Sequence, residues 1–262
     1  MLATSSELKL RVISALVLAA LAFGAVWAGG FVFAMFASAM VFIVFLEWTA
    51  IIGLTAFEGA RIRAAAVMIV LLTVLMFFGV FVALAVLVVL AVLAYIFTKP
   101  TTAETANWTT AAVVYCGLVA IALVGLRASE NGIALILLLF AIVWGTDIGA
   151  YFVGRKLGGP KLAPKISPGK TQSGAIGGLV IAMVCAVIIG AASGILHPIG
   201  ALVIAVIVSA ISQTGDLFES YLKRRFGVKD SGSILPGHGG MFDRVDGLMP
   251  AAIALFLIVK LL

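Results

Sequence analysis

From Ala64 to Phe97 the chain runs 34 residues without a charged side chain. Runs of 18 or more apolar residues mark membrane spans, and each span takes roughly 20 residues. Further long apolar runs, four of them holding a single charged residue, cover residues 12–28, 31–53, 109–126, 133–153, 173–195, 199–217 and 247–262. The 64–97 run is too long for one span, so it is divided near Gly79 into 64–79 and 81–97. Composition agrees: the chain is 64% hydrophobic and 11% charged, with mean hydropathy +1.28, where soluble domains carry about 25% charged residues. The runs are too long and unbroken for barrel strands, so helices must satisfy their own backbone groups in lipid. The expected fold class is all-α, a polytopic helical membrane protein with about nine transmembrane helices. Lys9 and Arg11 before the first run would also suit a cleaved signal peptide. A second run follows after two glycines, however, and no small-residue cleavage site stands out.

Lysine and arginine set the orientation. With the N-terminus in the cytoplasm, fifteen of the seventeen basic residues fall inside. They include Arg61 and Arg63, Lys99, the group from Arg155 to Lys170, and the group from Lys223 to Arg244. Only Arg127 and Lys260 fall outside. This positive-inside split predicts a multi-pass protein of the cell inner membrane. The net charge of +6 then reflects topology and attraction to anionic lipid in the bilayer, with no nucleic acid partner.

The polar chemistry is uneven. Residues 1–132 read as an N-terminal scaffold of transmembrane helices with short loops. Residues 133–262 carry most of the polar chemistry and form the candidate functional region, with cytoplasmic loops at 154–172 and 218–246. Cys116 and Cys185 both fall within apolar runs and form no metal-ligand spacing, so they read as packing residues.

Acidic residues at membrane depth are functional candidates. Asp147 lies in the sixth span and Asp216 at the end of the eighth, both near the predicted cytoplasmic side. Ser209, Ser212, Gln213 and Asp216 fall on one helical stripe, which should face the bundle interior or a wet cavity. The serines also suit plain helix–helix contacts. Glu47, near the end of the second span, stands open between packing and a site role.

The stretch from Ser220 to Gly247 gathers charge and glycine beside the last apolar run. Asp243 and Asp246 are three apart and would share a face of a helical turn. Paired carboxylates with phosphate oxygens suit a hard cation such as Mg²⁺. Lys223, Arg224, Lys229 and Arg244 can neutralise phosphate oxygens. Gly239 and Gly240 follow His238 and let backbone approach a ligand closely. Together these features read as a phosphate-and-metal site at the membrane surface.

This stretch resembles the signature of the phosphatidate cytidylyltransferases, the CDP-diacylglycerol synthases. The matching residues are Ser220, Lys223, Arg224, Lys229, Asp230, Gly232, Leu235, Pro236, His238, Gly239, Gly240, Asp243, Arg244 and Asp246. The segment TDIGAYFVGRKLG resembles the family's Asp-x-x-Ala-Tyr block, with Asp147, Ala150, Tyr151 and Gly154. SPGKTQSGAIGG resembles its Ser-Pro-x-Lys-Thr block, with Ser167, Pro168, Lys170 and Thr171. The family often has an aromatic residue and an acid after Lys-Thr, where this chain has Gln172 and Ser173.

The resemblance implies an enzyme that joins CTP to phosphatidate, giving CDP-diacylglycerol and pyrophosphate. It implies Mg²⁺, often a second monovalent cation such as K⁺, and a homodimer. The family's metal-binding acids correspond to Asp216, Asp243 and Asp246. These three, with Lys223 and Arg224, are the expected catalytic set. Asp147, Ser167, Lys170, Thr171, Ser220, Lys229, His238, Gly239, Gly240 and Arg244 are expected to bind substrate. Two rival readings fit less well. A CDP-alcohol phosphotransferase shares Asp243-Arg-Val-Asp246-Gly247, but Pro250 and Ala251 stand where that family needs Ala-Arg. An ion-coupled transporter could use Asp147 and Asp216, but the polar residues gather at one face and the two halves differ.

The charge split makes a topological prediction. Cysteines placed at Lys161 and Lys229 in a chain without Cys116 and Cys185 should react with an impermeant maleimide only after the cytoplasm is opened. Labelling in intact cells would invert the topology.

Overall fold

The computed structural model describes residues 5–234 and 239–261 of the chain. In order, its helices are α1 (Ser5–Ala28), α2 (Gly30–Ile51), α3 (Glu58–Thr98), α4 (Ala103–Arg127) and α5 (Gly132–Leu157). Strands β1 (Lys161–Ala163) and β2 (Ser167–Thr171) follow. The chain continues with α6 (Gln172–Ser193), α7 (Pro198–Arg225), the single turn α8 (Phe242–Val245) and α9 (Leu248–Leu261). All nine expected apolar runs fall on helices. Among the described residues, six helices are long and apolar enough to cross a membrane: α2 to α7. The protein is thus a polytopic helical membrane protein. A count of nine spans would further need α1, α9 and a division of α3.

That division has a structural mark. Inside the 41-residue α3, Gly79 has φ 82° and ψ −177°, which no helix contains. This backbone region is essentially restricted to glycine. Residues 58–78 and 80–98 are therefore two helices meeting at Gly79, where the sequence placed the break.

Two local expectations change. The segment 154–172 is not all loop, because β1 and β2 pair as an antiparallel hairpin, with Lys161 opposite Thr171 and Ala163 opposite Ser167. Strands of three and five residues are too short to show a periodicity. The segment 218–246 also begins as helix: α7 runs on to Arg225, so Ser220, Lys223 and Arg224 are helical. Glu219 and Lys223 pair at i, i+4 with 2.7 Å between charged atoms, and basic residues suit a helix C-terminus.

The chain forms two compact units. One holds Met1–Val124 with Arg225–Arg244, and the other holds Gly125–Arg224 with Val245–Leu262. The expected boundary at residue 132 followed the polar chemistry, whereas these units follow packing. The first unit buries Phe45, Trp48, Leu54, Met68, Leu71 and Leu75.

In the second unit α5 and α6 meet along a seam of small residues. A Cβ on Gly149 would stand 2.8 Å from the Gly177 carbonyl oxygen, and one on Gly178 would stand 2.5 Å from that of Thr146. Val153 fills the space that a Cβ on Gly177 would take. Lipid chains are as apolar as leucine, so such close backbone approach is what holds membrane helices together. Gly178→Leu should therefore cost about 1–3 kcal/mol or more through overpacking. It should lower the thermal midpoint in detergent and reduce monodisperse yield. Gly24→Ala, with nothing within 4 Å of its Cβ, should leave both near the parental values.

Candidate active site

The second unit contains a cavity of about 650 Å³ lined by α5, the hairpin, α6 and α7. Thr146, Asp147 and Tyr151 come from α5, Lys170 and Thr171 from β2, and Gln213 and Asp216 from α7. Thr171 ends the strand and caps the helix that follows, its Oγ1 accepting the Gly174 N–H at 3.1 Å. A threonine here satisfies one of the orphan donors of the first turn of α6. The cap fixes Lys170 one residue earlier, and its ammonium pairs with the Asp216 carboxylate. Two residues taken separately from the sequence are thus in direct contact.

The polar stripe on α7 divides by role. Ser209 and Ser212 are buried. Thr146 Oγ1 lies 2.8 Å from Ser209 Oγ, a link between α5 and α7. Gly247 packs against Ser212, where a Cβ would come within 2.6 Å of its Oγ. Gln213 and Asp216 line the cavity, with Gln213 Nε2 donating to the Ala175 carbonyl at 3.3 Å. At the two positions that depart from the resembling pattern, Ser173 Oγ donates to the Gly158 carbonyl, and the Gln172 N–H donates to Pro160 at 2.9 Å. Both residues fasten the start of α6 to the chain around the hairpin. On the cavity wall, Arg155 donates to the Tyr151 hydroxyl at 2.8 Å.

Acids collect around Asp246, just beyond α8. Burial first, then the charges of Asp216, Glu219 and Asp147, raise its carboxyl well above the usual range, while the Gly247 N–H pulls the other way. That N–H donates to Asp246 Oδ1 at 2.7 Å. Carboxylates that hold protons on one another form an environment that a cation relieves. The donors are hard oxygens with no thiol or imidazole among them, so their chemistry fits Mg²⁺ rather than a softer metal. Among the described residues, no three His, Cys, Asp or Glu side chains are grouped closely enough to hold a metal ion. Asp216 and Asp246 belong to the second unit and Asp243 to the first.

The first unit holds Asp243 in a tight loop. Asp243 Oδ2 accepts the N–H groups of Ser231 and Gly240, each at 3.1 Å, and the Ser231 hydroxyl at 2.8 Å. Gly239 has φ 84°, and a Cβ there would stand 3.3 Å from Asp243 Oδ2. Beneath the loop lies Glu47, which is 4% exposed. Its Oε1 accepts the Met241 N–H at 2.9 Å and its Oε2 the Phe242 N–H at 2.7 Å. The next residue of α2, Trp48, stacks on Phe242 with ring centroids 5.6 Å apart. Glu47 is the residue whose importance the sequence left undecided. Its partners lie 194 and 195 positions away, and no local pattern signals such a contact. Arg225 also ties this segment down, its guanidinium donating twice to Glu104 Oε1 at 3.1 and 2.7 Å.

The other expected site residues are more open. Lys229, Arg224 and Arg244 are exposed, and Ser167, Ser220 and Lys223 are half-buried. His238, with Leu235, Pro236 and Gly237, lies outside the described residues.

The chain is similar to known proteins along nearly its whole length. The model of the cytidylyltransferase family matches residues 9–262. A phosphatidate cytidylyltransferase of Brucella suis is 41% identical over 254 residues, covering 96% of this chain and 93% of its own. One from Bacillus subtilis is 43% identical over 150 residues, 56% of each chain. One from Haemophilus influenzae is 48% identical over 126 residues, 46% of this chain and 44% of its own. With so much of its length matched, the chain belongs to the cytidylyltransferase family.

Proposed function

We propose that this protein is a phosphatidate cytidylyltransferase, which converts CTP and phosphatidate to CDP-diacylglycerol and pyrophosphate in phospholipid biosynthesis. The observation that carries this reading is the near full-length similarity to the Brucella suis enzyme of that name. The cavity and the charged loop both contain residues that suit a nucleotide triphosphate and a lipid phosphate.

In the proposed reaction a phosphate oxygen of phosphatidate forms a bond to the α-phosphorus of CTP. The bond from that phosphorus to the β-phosphate bridging oxygen breaks, and pyrophosphate leaves with the electron pair. Phosphatidate is already ionised, so no strong general base is needed and no covalent enzyme intermediate forms. Two anions must meet, which makes the barrier largely electrostatic. Lys170, Lys223, Arg224, Lys229 and Arg244 offset phosphate charge, while Ser167, Thr171, Ser220, His238 and the glycines at 239 and 240 position substrate. Asp216, Asp243 and Asp246 are the residues that would hold Mg²⁺, with Asp147 nearby in the same acidic set as Asp216 and Asp246. Bound there, Mg²⁺ would neutralise charge on the transferring phosphoryl group. A monovalent cation such as K⁺ and a homodimeric state complete the reading, and both rest on the family resemblance. The basic-residue count supports an inner-membrane location with both charged segments in the cytoplasm, where CTP is found. Phosphatidate would then enter sideways from the inner leaflet.

Two outcomes are expected. Purified protein given CTP, phosphatidate and Mg²⁺ should release pyrophosphate, and excess EDTA should abolish that release. No turnover with any phosphatidate, or full turnover in EDTA, would refute the reading. Asp246→Asn and Asp243→Asn keep shape and lose charge. Each should reduce the rate by roughly a thousandfold or more while yield and elution stay normal. Lys99→Gln, an exposed loop change, should leave the rate near parental. A well-folded Asp246→Asn that keeps more than about a tenth of the rate at saturating Mg²⁺ would remove Asp246 from the ligand set.

A further inference from the structure

We propose that Glu47 is a positioning residue for cytidylyl transfer: its buried carboxylate holds the backbone at Met241 and Phe242 and so sets how Asp243 is presented. The proposal rests on the function proposed above, but its geometry stands apart from it.

A carboxylate this deeply buried in an apolar helix is costly unless its oxygens are hydrogen-bonded. Both Glu47 oxygens are, and each takes a backbone N–H at the start of the α8 turn. Those two amides, Met241 and Phe242, lie where a helix leaves its own N–H groups without carbonyl partners. An apolar residue at position 47 would leave both unsatisfied. The grip is double, since the carboxylate holds the backbone of 241–242 while Trp48 stacks on the Phe242 ring.

Ser231 carries the connection onward. Its Oγ lies 2.8 Å from Asp243 Oδ2 and 3.3 Å from Glu47 Oε2. The hydroxyl has one proton and its shorter contact is to Asp243, so Ser231 bridges the two carboxylates within hydrogen-bond distance of each and links their positions. The signature glycines fit the same account. A Cβ on Gly232 would stand 2.8 Å from Glu47 Oε1, and one on Gly240 2.8 Å from Glu47 Oε2. At Gly240 the Ser231 hydroxyl is nearer still, so the loop is glycine at these two places because it closes tightly around the Glu47 carboxylate and Ser231. Among the described residues, the hydrogen-bond partners of Glu47 are Ser231, Met241 and Phe242 of this loop, so it acts through Asp243 rather than on substrate.

The test uses the full-length protein in detergent. Glu47→Gln keeps size but has one acceptor oxygen in place of two, so one of the two amides loses its partner. Hydrogen exchange in the peptide containing Met241 and Phe242 should speed up by about tenfold or more, with exchange elsewhere unchanged. The kcat should fall by about tenfold or more while the KM for CTP stays within about twofold. A role in general stability alone would raise exchange broadly and leave kcat per folded molecule intact. If Glu47→Gln elutes normally with local exchange and kcat both within about twofold of parental, the proposal is overturned. If it does not fold, Ser231→Ala decides. A kcat loss of about fivefold or more at normal elution supports the link, and a parental kcat overturns it. Should the parental protein show no cytidylyl transfer, the proposed function fails, and the exchange measurement alone still judges Glu47.

Discussion

A bilayer core offers peptide groups no hydrogen-bond partner, and this shortage governs how the chain is arranged. Backbone at membrane depth must close its hydrogen bonds within helices. Irregular backbone, which active sites need, is left to the helix ends and connections. The hairpin at 161–171, the cap at Thr171 and the backbone around Ser231 and Gly240 all lie at such places. Several polar side chains that enter the helices of the second unit are partnered. Thr146 meets Ser209, Gln213 meets the Ala175 carbonyl, and Asp216 meets Lys170.

The two units handle charge in opposite ways. In the second, acids crowd one another around Asp246, and Lys170 supplies a compensating charge to Asp216. Such a set is electrostatically unfinished, and an added cation would lower its energy. In the first, Asp243 and Glu47 are stabilised by backbone N–H groups and a serine. Those carboxylates organise a loop. Both arrangements come from the same residue types, and the number of N–H donors within reach separates them.

Length and charge were the legible part of the sequence. Long uncharged runs identify helices because lipid allows little else, and Gly79 stood out as the break in a run too long for one span. The chemistry-bearing blocks were also legible, since Lys170, Asp216 and Asp243 each sit in a compact motif. What stayed hidden has physical causes. Charge between 218 and 225 looked like loop, yet the Glu219–Lys223 pair prolongs α7 there. The short strands carried no period. Glu47 looked isolated because its partners are far along the chain, and only folding brings them to it.

The glycine seam between α5 and α6 also acts as a ruler. Val153 nests on Gly177, and the Thr146 carbonyl faces Gly178. Sliding α6 by one residue would bring Ile176 or Leu179 to a place that admits no side chain. Each residue of slippage would move the helix start by about 1.5 Å. Thr171 is fixed to that start by its cap, and Lys170 precedes it. The depth at which Lys170 meets Asp216 is therefore set by contacts farther along the same helix. A substitution in the seam would detune the cavity at a distance, shifting a charge without touching it.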